Sequence, residues 1–95
     1  MNDNDYEVKY QACNLSDALH RNVNDNFESV SFRLLNDGHI DLRIVLKSRT
    51  YTEDEYIEDI TVEFSALQST NCVNRAEILV GKNNYPLENI VYKTI

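Results

Sequence analysis

The sequence predicts an α+β fold in the order αββαββ, with a four-stranded, mainly antiparallel sheet and two helices packed on one face. Three observations lead there. Between Glu28 and Lys47 two period-2 apolar runs flank a turn tripeptide, apolar stripes at helical spacing lie on either side of them, and two further β-rich runs follow near the end of the chain. Ninety-five residues allow one such domain, 1–95, with one core.

Residues 5–24 carry two patterns at once. Tyr6, Val8, Tyr10 and Ala12 alternate as a strand would, while Val8, Ala12, Leu15, Leu19 and Val23 recur at intervals of four, three, four and four, along one helical stripe. The helix accounts for more of the segment. Asn4 with Glu7 three residues on resembles a capping box. Asn14 and Ser16 in mid-run count the other way. Residues 22–26 form a polar exit.

In the hairpin, Val30, Phe32 and Leu34 alternate with Ser29, Ser31 and Arg33, and Ile40, Leu42, Ile44 and Leu46 alternate with Asp41, Arg43, Val45 and Lys47. A two-residue Asp37-Gly38 turn would set Leu34 against Asp41 and Phe32 against Arg43. A three-residue Asn36-Asp37-Gly38 loop instead pairs Leu34 with Ile40, Phe32 with Leu42, Val30 with Ile44 and Arg33 with Asp41. Opposed residues share a face, so the second register is expected, with Gly38 at positive φ.

Residues 52–68 again carry both periods: Ile60, Val62, Phe64 and Ala66 alternate, whereas Ile57, Ile60, Phe64 and Leu67 step by three, four and three. The start favours the helix. Thr52 followed by Glu55 reads as a capping box, and Glu53, Asp54 and Glu55 place negative charge in the first turn, where the helix dipole favours it. One Val62 is then left exposed. In the tail, Glu77 to Val80 and Ile90 to Tyr92 surround a Gly81-Lys82-Asn83-Asn84-Tyr85-Pro86 loop, which suggests a second, looser hairpin.

The succession Val30-Ser31-Phe32-Arg33, Asp41-Leu42-Arg43-Ile44, Thr52-Glu53-Asp54-Glu55, Ile60 to Phe64, and Tyr85-Pro86 before Val91-Tyr92-Lys93 resembles a family of small acidic bacterial proteins. Its members share the αββαββ order, an acidic helix start and a Tyr-Pro loop before a final Val-Tyr-basic strand. The resemblance covers most of the chain and implies the fold; it brings no activity with it.

Acidic residues outnumber basic ones 16 to 9. That balance argues against nucleic acid or an anionic membrane as partner and for a basic protein. No apolar run approaches the roughly 18 residues of a membrane span, and the first residues lack the basic and apolar blocks of a signal peptide, so a cytoplasmic location is expected. Cys13 and Cys72 lie far apart and outside any CxxC pattern, which reads as two reduced, partly buried thiols.

The sharpest functional feature is an acidic block: Glu53, Asp54, Glu55, Glu58, Asp59 and Glu63, six carboxylates in eleven residues with no base among them. On a helix Glu53, Asp54, Glu55, Glu58 and Asp59 would offer a negative contact surface to a basic partner, as an immunity protein or inhibitor of a basic toxin or nuclease would. The plain alternative is a solvated face whose first-turn acids serve the dipole. Asp54 and Glu58, one turn apart, have no His or Cys nearby and no oxygen-rich loop, so no metal site is expected. Cys13 and His20 would stand roughly 10 Å apart along a helix, too far for a nucleophile and its base. His39 beside the turn reads as a surface residue, and two glycines leave no phosphate-cradling loop. The expectation is therefore a non-enzymatic binding protein with no cofactor. A second possibility is homodimerisation across the sheet's open face, where Leu35, Val45 and some of Leu79, Val91 and Ile95 would lie among Arg33, Arg43 and Lys47.

Overall fold

The computed structural model describes residues 3–20, 22–68, 73–81 and 83–94. Its elements run α1 (Asp3–Leu19), β1 (Phe27–Leu34), β2 (Ile40–Leu46), α2 (Tyr51–Ala66), β3 (Val73–Val80) and β4 (Asn89–Lys93). The α+β class and the αββαββ order are those the patterning predicts. The sheet is mixed: its order is β3-β2-β1-β4, with β1 antiparallel to both β2 and β4, and β2 parallel to β3.

The β1–β2 register follows the opposed-face argument pair for pair, from Val30↔Ile44 and Phe32↔Leu42 to Arg33↔Asp41 and Leu34↔Ile40. Leu35 N–H donates to His39 O at 2.8 Å and Gly38 N–H to Leu35 O at 3.0 Å, closing the loop around Gly38 at φ 88°. A side chain there would be strained, which is why glycine stands at that position. A bulge between Phe27 and Ser29 lies beyond what alternation shows. It turns Phe27 onto the core face, where it is fully buried, and Glu28 drops out of the pattern.

The tail departs from the expected second hairpin. β3 and β4 occupy opposite edges of the sheet. α2 carries the chain from β2 over the sheet to a parallel β3, since parallel neighbours need a crossover rather than a turn. The chain must then return to β1, and does so across the face opposite the helices. Along the way Arg43 Nη1 donates to Tyr85 O (3.0 Å), Leu87 N–H to Ser31 Oγ (2.8 Å) and Asn89 Nδ2 to Phe32 O (3.2 Å). This strap, residues 83–88, corrects the picture of an open sheet face. Val45 is 0% exposed, Ser29 and Ser31 are buried, and Leu87 is 6% exposed. The premise of a bare apolar face for homodimerisation therefore fails at its centre.

On the other face both helices pack as predicted. Leu15, Ala18 and Leu19 of α1 and Ile57, Ile60 and Phe64 of α2 join Phe27, Val30, Phe32, Ile40, Leu42, Ile44 and Leu46 in one core. Each fully buried side chain of this kind contributes roughly 1.5–3 kcal/mol. Asn14, awkward for a helix by propensity, is buried and donates to Gln11 Oε1 (3.4 Å) on the same helix, while Gln11 and Gln68 exchange two amide hydrogen bonds of 2.8 Å. α1 stops where Asn22 Nδ2 caps the Ala18 carbonyl at 2.9 Å, before Val23 of the predicted stripe. Asn4 lies inside the helix rather than capping it.

Candidate functional site

The acidic block lies in α2, whose start is two residues earlier than the sequence suggests. The capping box is Thr50 with Glu53, not Thr52 with Glu55. Glu53 Oε1 accepts the Thr50 N–H at 2.8 Å and the Thr50 hydroxyl at 2.7 Å, and its Oε2 accepts Asn24 Nδ2 at 2.9 Å. The side chain is 1% exposed. Donation from the Asn24 amide, and then from Thr50, stabilises the charged form and brings its pKa down to about 2 against the opposing effect of burial. Glu53 is thus a buried latch between the start of α2 and the loop before β1. Its inclusion in the contact surface is corrected: a carboxylate with both oxygens engaged beneath the helix cannot meet a partner.

The other four, Asp54, Glu55, Glu58 and Asp59, are exposed on the outer side of α2. They turn outward because Ile57, Ile60 and Phe64 take the core side, and residues three and four apart share a face. Arg49 Nε meets Asp54 Oδ1 at 2.7 Å, with both side chains about half exposed, so Asp54 carries a local counter-charge that solvent screens. The bare part of the surface is Glu55, Glu58 and Asp59. Two apolar residues share it: Tyr51, 77% exposed, and Val62, 62% exposed. The Glu55 carboxylate beside the Tyr51 hydroxyl raises the phenol pKa. Residues 51, 55, 58 and 62 step by four, three and four, so ring, carboxylates and valine form one stripe.

Patterning showed the exposed Val62 but missed the aromatic, because a helix begun at Thr52 leaves Tyr51 outside it. Moving the start to Thr50 puts Tyr51 at the first helical position. Leu67, expected on the buried stripe, sits at the C-cap and is 40% exposed. α2 contains no basic residue.

The residues weighed for catalysis stay apart. Cys13 is exposed on α1, not partly buried, and His20 is exposed just past its end; Cys72 lies outside the described residues. His39 packs its Nδ1 against Asp37 Oδ1 at 3.0 Å on the hairpin tip, and its backbone N–H donates to the same oxygen, lowering the Asp37 pKa. Among the described residues no three His, Cys, Asp or Glu side chains converge as ligands for a metal ion, and no helix is long and apolar enough to cross a membrane. No protein-family model matches the sequence, and no curated protein does.

Proposed function

We propose that this is a non-enzymatic cytoplasmic protein that binds and occludes a basic protein, in the manner of an immunity protein or an inhibitor of a basic toxin or nuclease. The observation that carries the reading is the α2 stripe: Glu55, Glu58 and Asp59 without a compensating base on their helix, interleaved with Tyr51 and Val62 in water. Carboxylates steer a cationic partner and fix its approach, whereas an exposed ring and a branched aliphatic group supply the contact that is desolvated once it arrives. A purely solubilising face has no need of the second part.

The test is binding to a panel of basic nucleases at low and high salt. Binding is expected at low salt and should weaken steeply as salt rises. The double variant Glu58→Lys, Asp59→Lys is expected to lower the association rate about tenfold or more at low salt. Binding that ignores both salt and charge reversal would defeat the electrostatic reading. A second reading, self-association, keeps support from the strapped side and the sheet edges, where Tyr85, Val80 and Ile90 are exposed. Light scattering at high protein concentration decides it, a strict monomer counting against it.

A further inference from the structure

Among the described residues β3 and β4 are the two end strands of the sheet, and they are built differently. β4 is five residues long, carries Lys93 and has α1 packed beside it. β3 is eight residues long and holds neither Lys nor Pro, two residues that commonly keep an edge from pairing. Which of its backbone groups face outward follows from its last peptide. Gly81 N–H donates to Leu46 O on β2 at 3.0 Å, so across this trans peptide the Val80 carbonyl points away from the sheet, where it accepts Asn84 Nδ2 at 2.9 Å. Backbone direction alternates along a strand, which turns the N–H and C=O of Ala76 and Ile78 outward as well. The irregularity of β3 lies at its start, between Val73 and Arg75, and the alternation is regular from Arg75 on. Ala76 and Val80 are exposed.

An outward row of N–H and C=O groups is a template for another extended strand. The side chains select that strand. We infer that β3 is a self-association edge, on which two copies of the chain pair antiparallel about a two-fold axis at Ala76 and join their sheets into one. In this register the two Ala76 residues exchange N–H···O=C bonds, and Arg75 of each copy stands opposite Glu77 of the other. Arg75 Nη2 already reaches Glu77 Oε2 of its own chain at 3.0 Å. An opposed residue lies about 4.5–5.5 Å away, nearer than the roughly 6.6 Å between positions two apart on one strand, so the same pairing can be made across the axis. The neighbouring registers are worse. Centring on Glu77 opposes two like charges; centring on Ile78 sets Glu77 against Leu79 and Arg75 against Gly81, whose φ of 116° leaves the strand. The inference rests on the self-association reading and names the surface it uses.

Sedimentation velocity of the full chain between about 10 μM and 1 mM tests it, with a dimer expected at a dissociation constant on the order of 100 μM. Ala76→Lys sets like charges opposite each other at the axis, at a position exposed in the single chain, and should weaken the dimer at least about tenfold. Arg75→Ala removes both cross-strand ion pairs and should weaken it about three- to tenfold. Ile90→Lys makes a like change on the opposite edge and should leave the constant within about twofold. Circular dichroism of each variant reports that it folds. In the parent, amide exchange at Ala76 and Ile78 should slow about tenfold or more as concentration rises through the dissociation constant. A dimer that Ala76→Lys leaves intact, that Ile90→Lys weakens equally, or that leaves these two amides unprotected would overturn the β3 pairing while self-association through another surface stands. A strict monomer at 1 mM would overturn both.

Discussion

The two faces of the sheet are covered by different means. On the helix side, Leu15, Leu19, Ile57, Ile60 and Phe64 meet a continuous apolar layer from β1 and β2, and stability comes from area removed from water. On the strap side the covering segment offers Leu87 as its buried apolar residue and relies on directed bonds: Leu87 N–H to Ser31 Oγ and Arg43 Nη1 to Tyr85 O, with Arg43 itself held by Nε to Glu77 Oε1 at 2.7 Å. The helix layer is tolerant of detail but sensitive to volume. The strap is thin, and each bond in it replaces one that water would otherwise make, so its net hold is small. The difference teaches that burial alone does not rank positions: Val45 and Ile44 are both 0% exposed, yet one lies under two helices and the other under a loop.

Substitutions that strain this contrast should rank accordingly. Phe64→Ala opens a cavity under α2 and is expected to cost about 3–5 kcal/mol, a large share of the roughly 5–15 kcal/mol that holds a domain of this size. Urea unfolding followed by circular dichroism measures it. Leu87→Ala should cost less, near the lower end of the 2–5 kcal/mol range at about 2, because the loop can sink toward the sheet. Amide exchange sharpens the point. In Leu87→Ala the amides of the strap should exchange much faster while those of Phe32 and Leu42 remain protected. If both substitutions unfold the protein equally, the strap belongs to the same cooperative layer as the helices and the contrast is wrong.

Acid sets a third test, directed at the latch that ties α2 to the loop before β1. The folded pKa of Glu53 lies at about 2, below its ordinary value of 4.5. A depressed carboxylate contributes stability that is fully present above the unfolded value and is lost as pH falls through the folded one. Between about pH 4.5 and 2 the parent should therefore lose stability through this group. Glu53→Gln should be less stable than the parent at neutral pH and should converge on it toward pH 2, as followed by thermal melts across that window. Parallel pH profiles for the two proteins would show that the latch is not what joins these segments.

How much of this was legible depends on the range over which each choice is decided. The β1–β2 register was readable because apolar residues opposed to charged ones make the wrong pairing costly within a few residues of Gly38. Both helices were readable from their stripes, and four of the five proposed contact acids were placed outside from Ile57, Ile60 and Phe64 alone. Glu53 was not, since its burial depends on Asn24, 29 positions away, and a carboxylate pattern carries no sign of a partner at that distance. The parallel β3 was missed for a related reason: the run from Glu77 to Val80 looks the same whether its neighbour is β2 or β4. Leu87 offered a clue, as an apolar residue after Pro86 in a segment too long for a tight hairpin turn.

The smallest expected effect separates two arginines of the sheet, Arg43 on β2 and Arg75 on β3, both of which touch Glu77. Arg75 Nη2 reaches Glu77 Oε2 at 3.0 Å from a side chain 66% exposed, whereas Arg43 is 27% exposed and also donates to Tyr85 O. An exposed ion pair gains little because solvent screens it and two long side chains lose freedom to make it. Arg75→Ala should therefore shift stability by no more than about 0.5 kcal/mol. Arg43→Ala removes both the better-buried pair and a bond to the strap, and is expected to cost about 1–2 kcal/mol. In Arg43→Ala the strap amides should also exchange faster, an effect Arg75→Ala should lack. Equal costs for the two would mean that the Arg43–Tyr85 bond adds nothing, leaving Leu87 and Ser31 alone to hold the strap against the sheet.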